Sequence, residues 1–328
     1  MKRRAGMVVL LMVLLAVGCT GDKPSGRMTI AVIPKGTTHE FWKSIHAGAE
    51  KAAGELGVDV IWKGPLKEDD REAQIAIVED FISRGVSGIV LAPLDDSALR
   101  MPVASAVRAG IPVVIIDSGL KSDDYTSFVA TDNHKGGMLA GQHLADRLGG
   151  KGRVAMLRYQ EGSASTMQRE QGFLDAIAQH PDIRVVSSGQ YGGATTESAY
   201  RASENLLLPL KTEAGELNVE GIFCPNESTT FGMLRALQDA KLAGAVVFVG
   251  FDSSTKLVEG LRTGEIHALI LQDPMRMGYL GVKTMFSSLT GGKVEPRVDT
   301  GVHVVTAANM NQPAMKSLLQ PDLDRWLR

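Results

Sequence analysis

The chain has 328 residues, 44% of them hydrophobic, and its 35 basic and 37 acidic residues leave a formal charge of −2. That length exceeds what one small core serves and suits two lobes of roughly 130 to 150 residues each. The mildly acidic balance argues against nucleic acid as a partner.

In chain order, Lys2, Arg3 and Arg4 precede an apolar run at 7–17 that is too short for a stable membrane span, with small residues next to Cys19. Residues 1–18 are expected to leave as a signal peptide, after which 32 basic residues face 37 acidic ones, a net −5. "LAVGC", 15–19, resembles the bacterial lipobox, with Ala16 where that motif usually has Leu. The resemblance implies a lipid on Cys19 that tethers the protein in the periplasm or at the outer face of the cell membrane. The plainer reading is a signal peptide that happens to contain a Cys. "TGDKPSGR", 20–27, is polar and rich in turn-formers, so residues 19–27 read as a lipidated flexible stalk. Cys224 in "GIFCPN" then has no intramolecular partner and reads as a core residue at a strand end.

Beyond the stalk, short β-branched runs alternate with segments of helical period. The predicted strands are 28–33, 58–62, 88–91, 113–116, 153–157, 183–188, 221–224, 246–250 and 267–271. The predicted helices are 40–56, 69–84, 97–109, 135–148, 165–180, 197–210, 229–240 and 274–289. Four to six apolar residues without strict alternation mark strands buried on both faces, hence mainly parallel, helix-covered sheets of the doubly wound α/β class.

In such folds ligands meet the carboxyl ends of strands. Those positions carry "PKGTTHEFW", "APLDD", "DSG" at Asp117, Arg169 in "STMQREQGF", Asn226 after "GIFCP", Asp252 after "VVFVGF" and Gln272 after "HALIL". Taken singly, Asp117, Asp252 and Asn226 read equally as helix caps. Gln272 alone reads as a loop residue, Arg169 as a solvated helix face, and Phe41 and Trp42 as core. Because helix neighbours point about 100° apart, Phe41 and Trp42 do not share the centre of one buried stripe. Together, these donors, acceptors and aromatics form the inventory of a pocket for a neutral polyhydroxylated ligand.

The ordered stretches "TTHEFWKSIHAGAEKAAGELG", "IVEDFISRGVSGIVLAPLDDSAL", "IPVVIIDSG", "VATDNHKGGMLAGQHLA", "STMQREQGF", "IFCPNESTTFGMLRALQ", "VGFDSS" and "LILQDPMRMGYLG" resemble the bacterial periplasmic sugar-binding proteins of the ribose-binding type over residues 28–305. The resemblance implies a type I periplasmic binding protein fold, with two doubly wound, mainly parallel sheet lobes joined by a three-crossing hinge. The lobes are expected at 28–131 with 273–301 and at 132–272 with 302–328, and the crossings near 131–132, 272–273 and 302–304. Phe41 and Trp42 are similar to the aromatics that flank the sugar ring, Phe41 being expected nearer the ligand as one of the two leaves the helix's core stripe. Asp117, Arg169, Asn226, Asp252 and Gln272 match hydroxyl-binding positions. His39 stands where the ribose binders have Asn, Ser118 where they have Arg, and Tyr191 near a family aromatic. These departures leave the sugar's identity open.

The resemblance further implies a monomer that closes on a sugar and docks on the membrane permease of an ATP-driven (ABC) importer. A ligand-sensing lipoprotein that presents a sugar, nucleoside or cyclitol to a membrane receptor uses the same fold. No cofactor, metal or catalytic group is expected: G-x-S-x-G, H-E-x-x-H and G-x-x-x-x-G-K-[ST] are absent from the sequence. A regulator of the related lac-repressor kind would need a helix-turn-helix where this chain has an export signal.

Overall fold

The computed structural model describes residues 26–327. The first elements are β1 (Thr29–Ile33), α1 (Glu40–Leu56), β2 (Asp59–Trp62), α2 (Arg71–Ser83), β3 (Gly88–Leu91), α3 (Arg100–Arg108), β4 (Val113–Ile116) and β5 (Ser127–Ala130). Next come α4 (Asn133–Arg147), β6 (Lys151–Arg158), α5 (Ala164–Ile177), β7 (Asp182–Tyr191), α6 (Thr196–Leu207), β8 (Gly221–Phe223), α7 (Glu227–Asp239), β9 (Val247–Phe251), α8 (Thr255–Thr263) and β10 (Ala268–Leu271). The chain finishes with α9 (Pro274–Leu289), β11 (Arg297–Asp299), β12 (His303–Val305) and α10 (Pro313–Leu319).

The strands form two six-stranded sheets. The first, in the order β11-β5-β4-β3-β1-β2, is parallel throughout. The second, β12-β10-β9-β8-β6-β7, is parallel except for β12, which runs against β10. Each sheet buries apolar side chains on both faces, which is why its strands read as unbroken apolar runs. Ile45 and Val282 cover one face of the first sheet and Phe81 and Val103 the other; Phe173 and Leu144 face Leu234 and Leu257 across the second. The fold is therefore α/β, two doubly wound lobes of the type I periplasmic binding protein architecture.

Three strands and two helices were not anticipated. β5 (SFVA), β11 (RVD) and β12 (HVV) have three or four residues each and, unlike the equally short GIVL and VVII of β3 and β4, no unbroken apolar run of four to mark them. α8 does carry a signal, with Leu257, Val258 and Leu261 buried between a Ser254 cap and left-handed Gly264, but it spans only nine residues. α10, seven residues long, buries Leu319 alone.

Within each lobe, glycine lets two helices touch backbone to backbone. A Cβ at Gly48 of α1 would strike the Met275 carbonyl oxygen of α9, and one at Gly278 would strike Ile45. A Cβ at Gly137 of α4 would meet the Arg169 carbonyl oxygen, and one at Gly172 of α5 that of His134. The second crossing fixes the backbone that carries Arg169.

The chain passes between sheets after β5, after β10 and between β11 and β12. The third passage occupies 300–302, earlier than expected, because His303–Val305 already pairs with β10. The hydroxyls of Thr131 and Thr300 lie 3.2 Å apart, Thr131 also donates to the Gly301 carbonyl, and Arg297 donates to the carbonyls of Ala130 and Thr131. The first and third crossings are thus stitched together.

Candidate ligand-binding site

Between the lobes lies a narrow cavity, lined from the first lobe by Lys35, His39, Phe41, Trp42, Glu68 and Asp117. The second lobe adds Tyr159, Ser165, Thr166, Arg169, Asn226, Glu227 and Asp252, and the second crossing adds Gln272.

Asp117 and Asp252 follow β4 and β9, and both take left-handed backbone, with φ of 60° and 68°. A non-glycine residue is rare there, and such strain collects at functional sites. Neither caps a helix of its own: no helix directly follows Asp117, and Ser254 caps α8. The strained turn instead points each carboxylate into the gap. Lys35, just past β1, places its ammonium 2.9 Å from Asp117 Oδ2 and 2.9 Å from Ser165 Oγ.

Arg169 is not a solvated face, being 2% exposed. Its Nε donates to Asn133 Oδ1 and its Nη1 to the Pro225 carbonyl, while the guanidinium lies 4.0 Å from the Phe251 ring centroid. Its outer nitrogens stand 3.8 Å from Asp117 and 3.9 Å from Asp252, and Nη2 has no hydrogen-bond partner among the described residues. Gln272 donates to Asp252 Oδ1 at 2.7 Å and leaves its own buried carbonyl oxygen unpartnered among those residues. A forked donor and a free acceptor around one carboxylate are suited to sugar hydroxyls, which both donate and accept. Asn226 both caps α7, accepting from the Thr229 N–H, and lines the cavity.

Phe41 and Trp42 both stay in the apolar cluster of the first lobe and both line the cavity, so the expectation that one of them leaves the core stripe is not met. They occupy the first turn of α1, whose end stands at the gap, and helical side chains lean toward the N-terminus. Their rings meet edge to face with centroids 4.9 Å apart, and the indole N–H of Trp42 donates to Glu68 Oε1 at 2.7 Å.

Glu68 was not singled out in the sequence, yet it organises this wall. It also meets His39 Nδ1 at 2.5 Å and accepts from the Tyr159 hydroxyl of the other lobe at 2.7 Å. Burial alone would raise its carboxyl, but His39, Lys35 and the hydrogen bonds hold it at about 2. Burial likewise opposes a charged His39, yet Glu68, helped by Glu227 and Asp252, brings the imidazole up to about 9. Burial pushes Glu227 up to about 7 and also raises Asp252. Three cations thus face four carboxyl groups, two of them displaced toward the neutral form, and this near balance favours an uncharged guest.

Two expected residues lie off the cavity lining. Ser118 is fully buried, and its hydroxyl accepts the Ser165 N–H. Tyr191 ends β7, the edge strand beyond two register shifts against β6, and is 41% exposed on a different surface hollow. Lys35, Glu68, Tyr159, Ser165, Thr166 and Glu227 are the lining residues that sequence reasoning missed. Lys35 and Tyr159 obey the strand-end rule, standing two residues past β1 and one past β6; Glu68 stands six residues beyond β2 in "KGPLKEDD", which reads as solvated loop.

Residues 30–293 match the family described as periplasmic binding protein domain. The chain belongs to that family. The ribose import binding protein of Haemophilus influenzae is 30% identical over 306 residues, covering 93% of this chain and all of that protein. A carbohydrate transporter solute-binding protein from Agrobacterium radiobacter, solved with D-arabinose, is 34% identical and superposes with a TM-score of 0.85 over 90% of this chain and 100% of its own. A solute-binding protein from Agrobacterium vitis, solved with D-fucose, is 36% identical with a TM-score of 0.84, covering 89% and 100% of the two chains.

Proposed function

We propose that this chain is an extracytoplasmic solute-binding protein that captures an uncharged sugar or sugar-like polyol between its lobes and delivers it to an ABC importer. The observation that carries the reading is the cavity itself: aromatic walls, the Asp117, Arg169 and Asp252 cluster and Gln272 converge from both lobes and the hinge. Ligand contacts drawn from two lobes coexist only when the lobes are closed, so the ligand shifts the balance toward the closed form that a permease would receive. Sugars named for the relatives, ribose, arabinose and fucose, set the starting panel.

The protein works as a monomer and binds its guest without transforming it. We set the lobe boundaries at 131/132, 272/273 and 301/302, a division that the nearby changes of sheet support. Among the described residues no helix is long and apolar enough to cross a membrane, and tethering is assigned to a lipid on Cys19, which lies outside the described residues, as do residues 1–18 and the stalk up to residue 25.

A thermal-shift screen of the purified protein against pentoses, hexoses, deoxyhexoses, inositols and nucleosides tests the reading, because a ligand selective for the folded state raises the melting temperature. A clear rise with one sugar supports it. No shift across the panel, with Asp252→Ala indistinguishable from the parent, refutes it.

A further inference from the structure

Three helices point their first turns at the gap between the lobes, and each is met there by a side chain of the opposite lobe. The N–H groups of Glu40 and Phe41, which open α1, lie 3.3 and 3.1 Å from the carboxylate oxygens of Glu227, the first residue of α7. The carboxylate of Glu40 in turn accepts the Thr255 N–H that opens α8, at 3.2 Å, and the Thr255 hydroxyl at 3.4 Å. Ser118 accepts the Ser165 N–H in the first turn of α5. Neither α1 nor α5 has a side-chain cap of its own, since His39 and Ser163 at their cap positions make no such bond. The first N–H groups of a helix require an outside acceptor, and carboxylates are favoured there by the helix dipole.

We propose that Glu227 and Glu40 form a reciprocal interlobe latch: each carboxylate caps a helix of the other lobe, so both caps exist only when the lobes are closed, and the latch sets closure and ligand affinity alongside the sugar contacts. Opening the hinge returns the first N–H groups of α1 and α8 to water and hydrates both carboxylates. The ligand arm of this inference rests on the sugar-binding reading, whereas the conformational arm does not.

Burial makes the Glu227 half of the latch sensitive to pH. Its carboxyl is pushed up first by burial and further by Asp252, against the opposing influence of His39 and the α1 N–H groups, and stands at about 7. The groups facing it are His39 at the start of α1, held at about 9 largely by Glu68 of its own lobe, and Asp252 beyond β9, itself raised by burial and neighboured by Arg169 of α5. The Glu40 carboxylate is turned away toward Thr255. In an open form Glu227 is hydrated and returns toward the ordinary value of 4.5. A carboxyl that is raised in the closed form takes up a proton on closing. Its contribution to closure is full below the open-form value and is lost as pH rises through the closed-form value.

The test combines small-angle scattering with calorimetric titration of D-ribose, D-arabinose and D-fucose, at about pH 5.5 and about pH 8. The parent is expected to bind more tightly at the lower pH, by up to about tenfold per unit between the two carboxyl values. Glu227→Ala should enlarge the radius of gyration and weaken binding by about tenfold, and Glu40→Ala should act in the same direction by a smaller factor. Glu227→Gln keeps an acceptor and loses the ionisation, so it should stay closed while its affinity loses most of the parent's pH slope. Scattering curves and affinities of Glu227→Ala and Glu40→Ala that match the parent at both pH values overturn the latch, as does a full pH slope in Glu227→Gln. If no sugar binds the parent, the capture reading fails and scattering alone decides the latch.

Discussion

The ammonium of Lys35 and the carboxylate of Asp117 lie 2.9 Å apart with side chains only 3% and 4% exposed. At an effective dielectric constant of about 20, raw Coulomb attraction at that distance is about 6 kcal/mol, and desolvation of both ions offsets much of it. The measurable quantity is therefore the effect of removing one partner. In Lys35→Met, Asp117 keeps only Arg169, 3.8 Å away, and the hydroxyls of Ser163 and Ser165 lose their donor. A buried charge left without its partner costs about 3–5 kcal/mol. In urea denaturation of the purified protein, the midpoint should fall by that energy divided by the slope of the transition. Asp117→Asn in the same background removes the stranded charge and keeps a residue that tolerates the left-handed backbone, so the double variant should recover about half or more of the loss. A loss below about 1 kcal/mol in Lys35→Met, or additive losses in the double variant, would show that the two groups do not act as a buried pair.

Tyr159→Phe deletes the 2.7 Å hydrogen bond to Glu68 that joins the lobes beside the cavity, and should weaken sugar binding by about 1–3 kcal/mol in calorimetry with little loss of stability. An unchanged affinity would leave Glu68 serving its own lobe only. Gly172→Ala forces a methyl group against the His134 backbone of α4, so it should cost at least about 2 kcal/mol in thermal unfolding and disturb Arg169; a neutral effect would mean that the helices do not touch there. His39, raised to about 9, contributes to folding fully below 6.5 and loses that contribution as pH rises through 9. An NMR titration of its imidazole should show that high midpoint in the parent and a marked fall in Glu68→Gln, where burial dominates. Replacing Cys19 with Ser should move the protein from membranes to the soluble fraction, and continued membrane association would remove the lipid from the account.

The strand ends illustrate how far a sequence can be read. Asp117, Asn226, Asp252 and Gln272 were visible because each closely follows an apolar run of parallel-strand character, and doubly wound sheets place such positions at the ligand crevice. His39, Phe41 and Trp42 were visible because they mark the start of a long amphipathic helix close behind β1. Tyr191 occupies a formally equivalent strand end but terminates an edge strand, and edge position is a property of sheet order that spacing along the chain does not reveal. Ser118, next to a residue that turns into the gap, was carried toward the other lobe's helix end instead.

The sequence alone determined the α/β class, the mainly parallel pairing, most element bounds and the residues at the strand ends, because periodicity and strand-terminal chemistry are local properties of the chain. Tertiary structure decided which of those ends meet: Glu68 with Tyr159 across 91 residues, Lys35 with Ser165 across 130, Glu227 with Phe41 across 186. Such contacts follow from how two separately folded sheets are set against each other at the hinge, and no short-range pattern records that angle. The same juxtaposition creates the burial that moves Glu227, so its protonation too belongs to the closed molecule and not to the sequence.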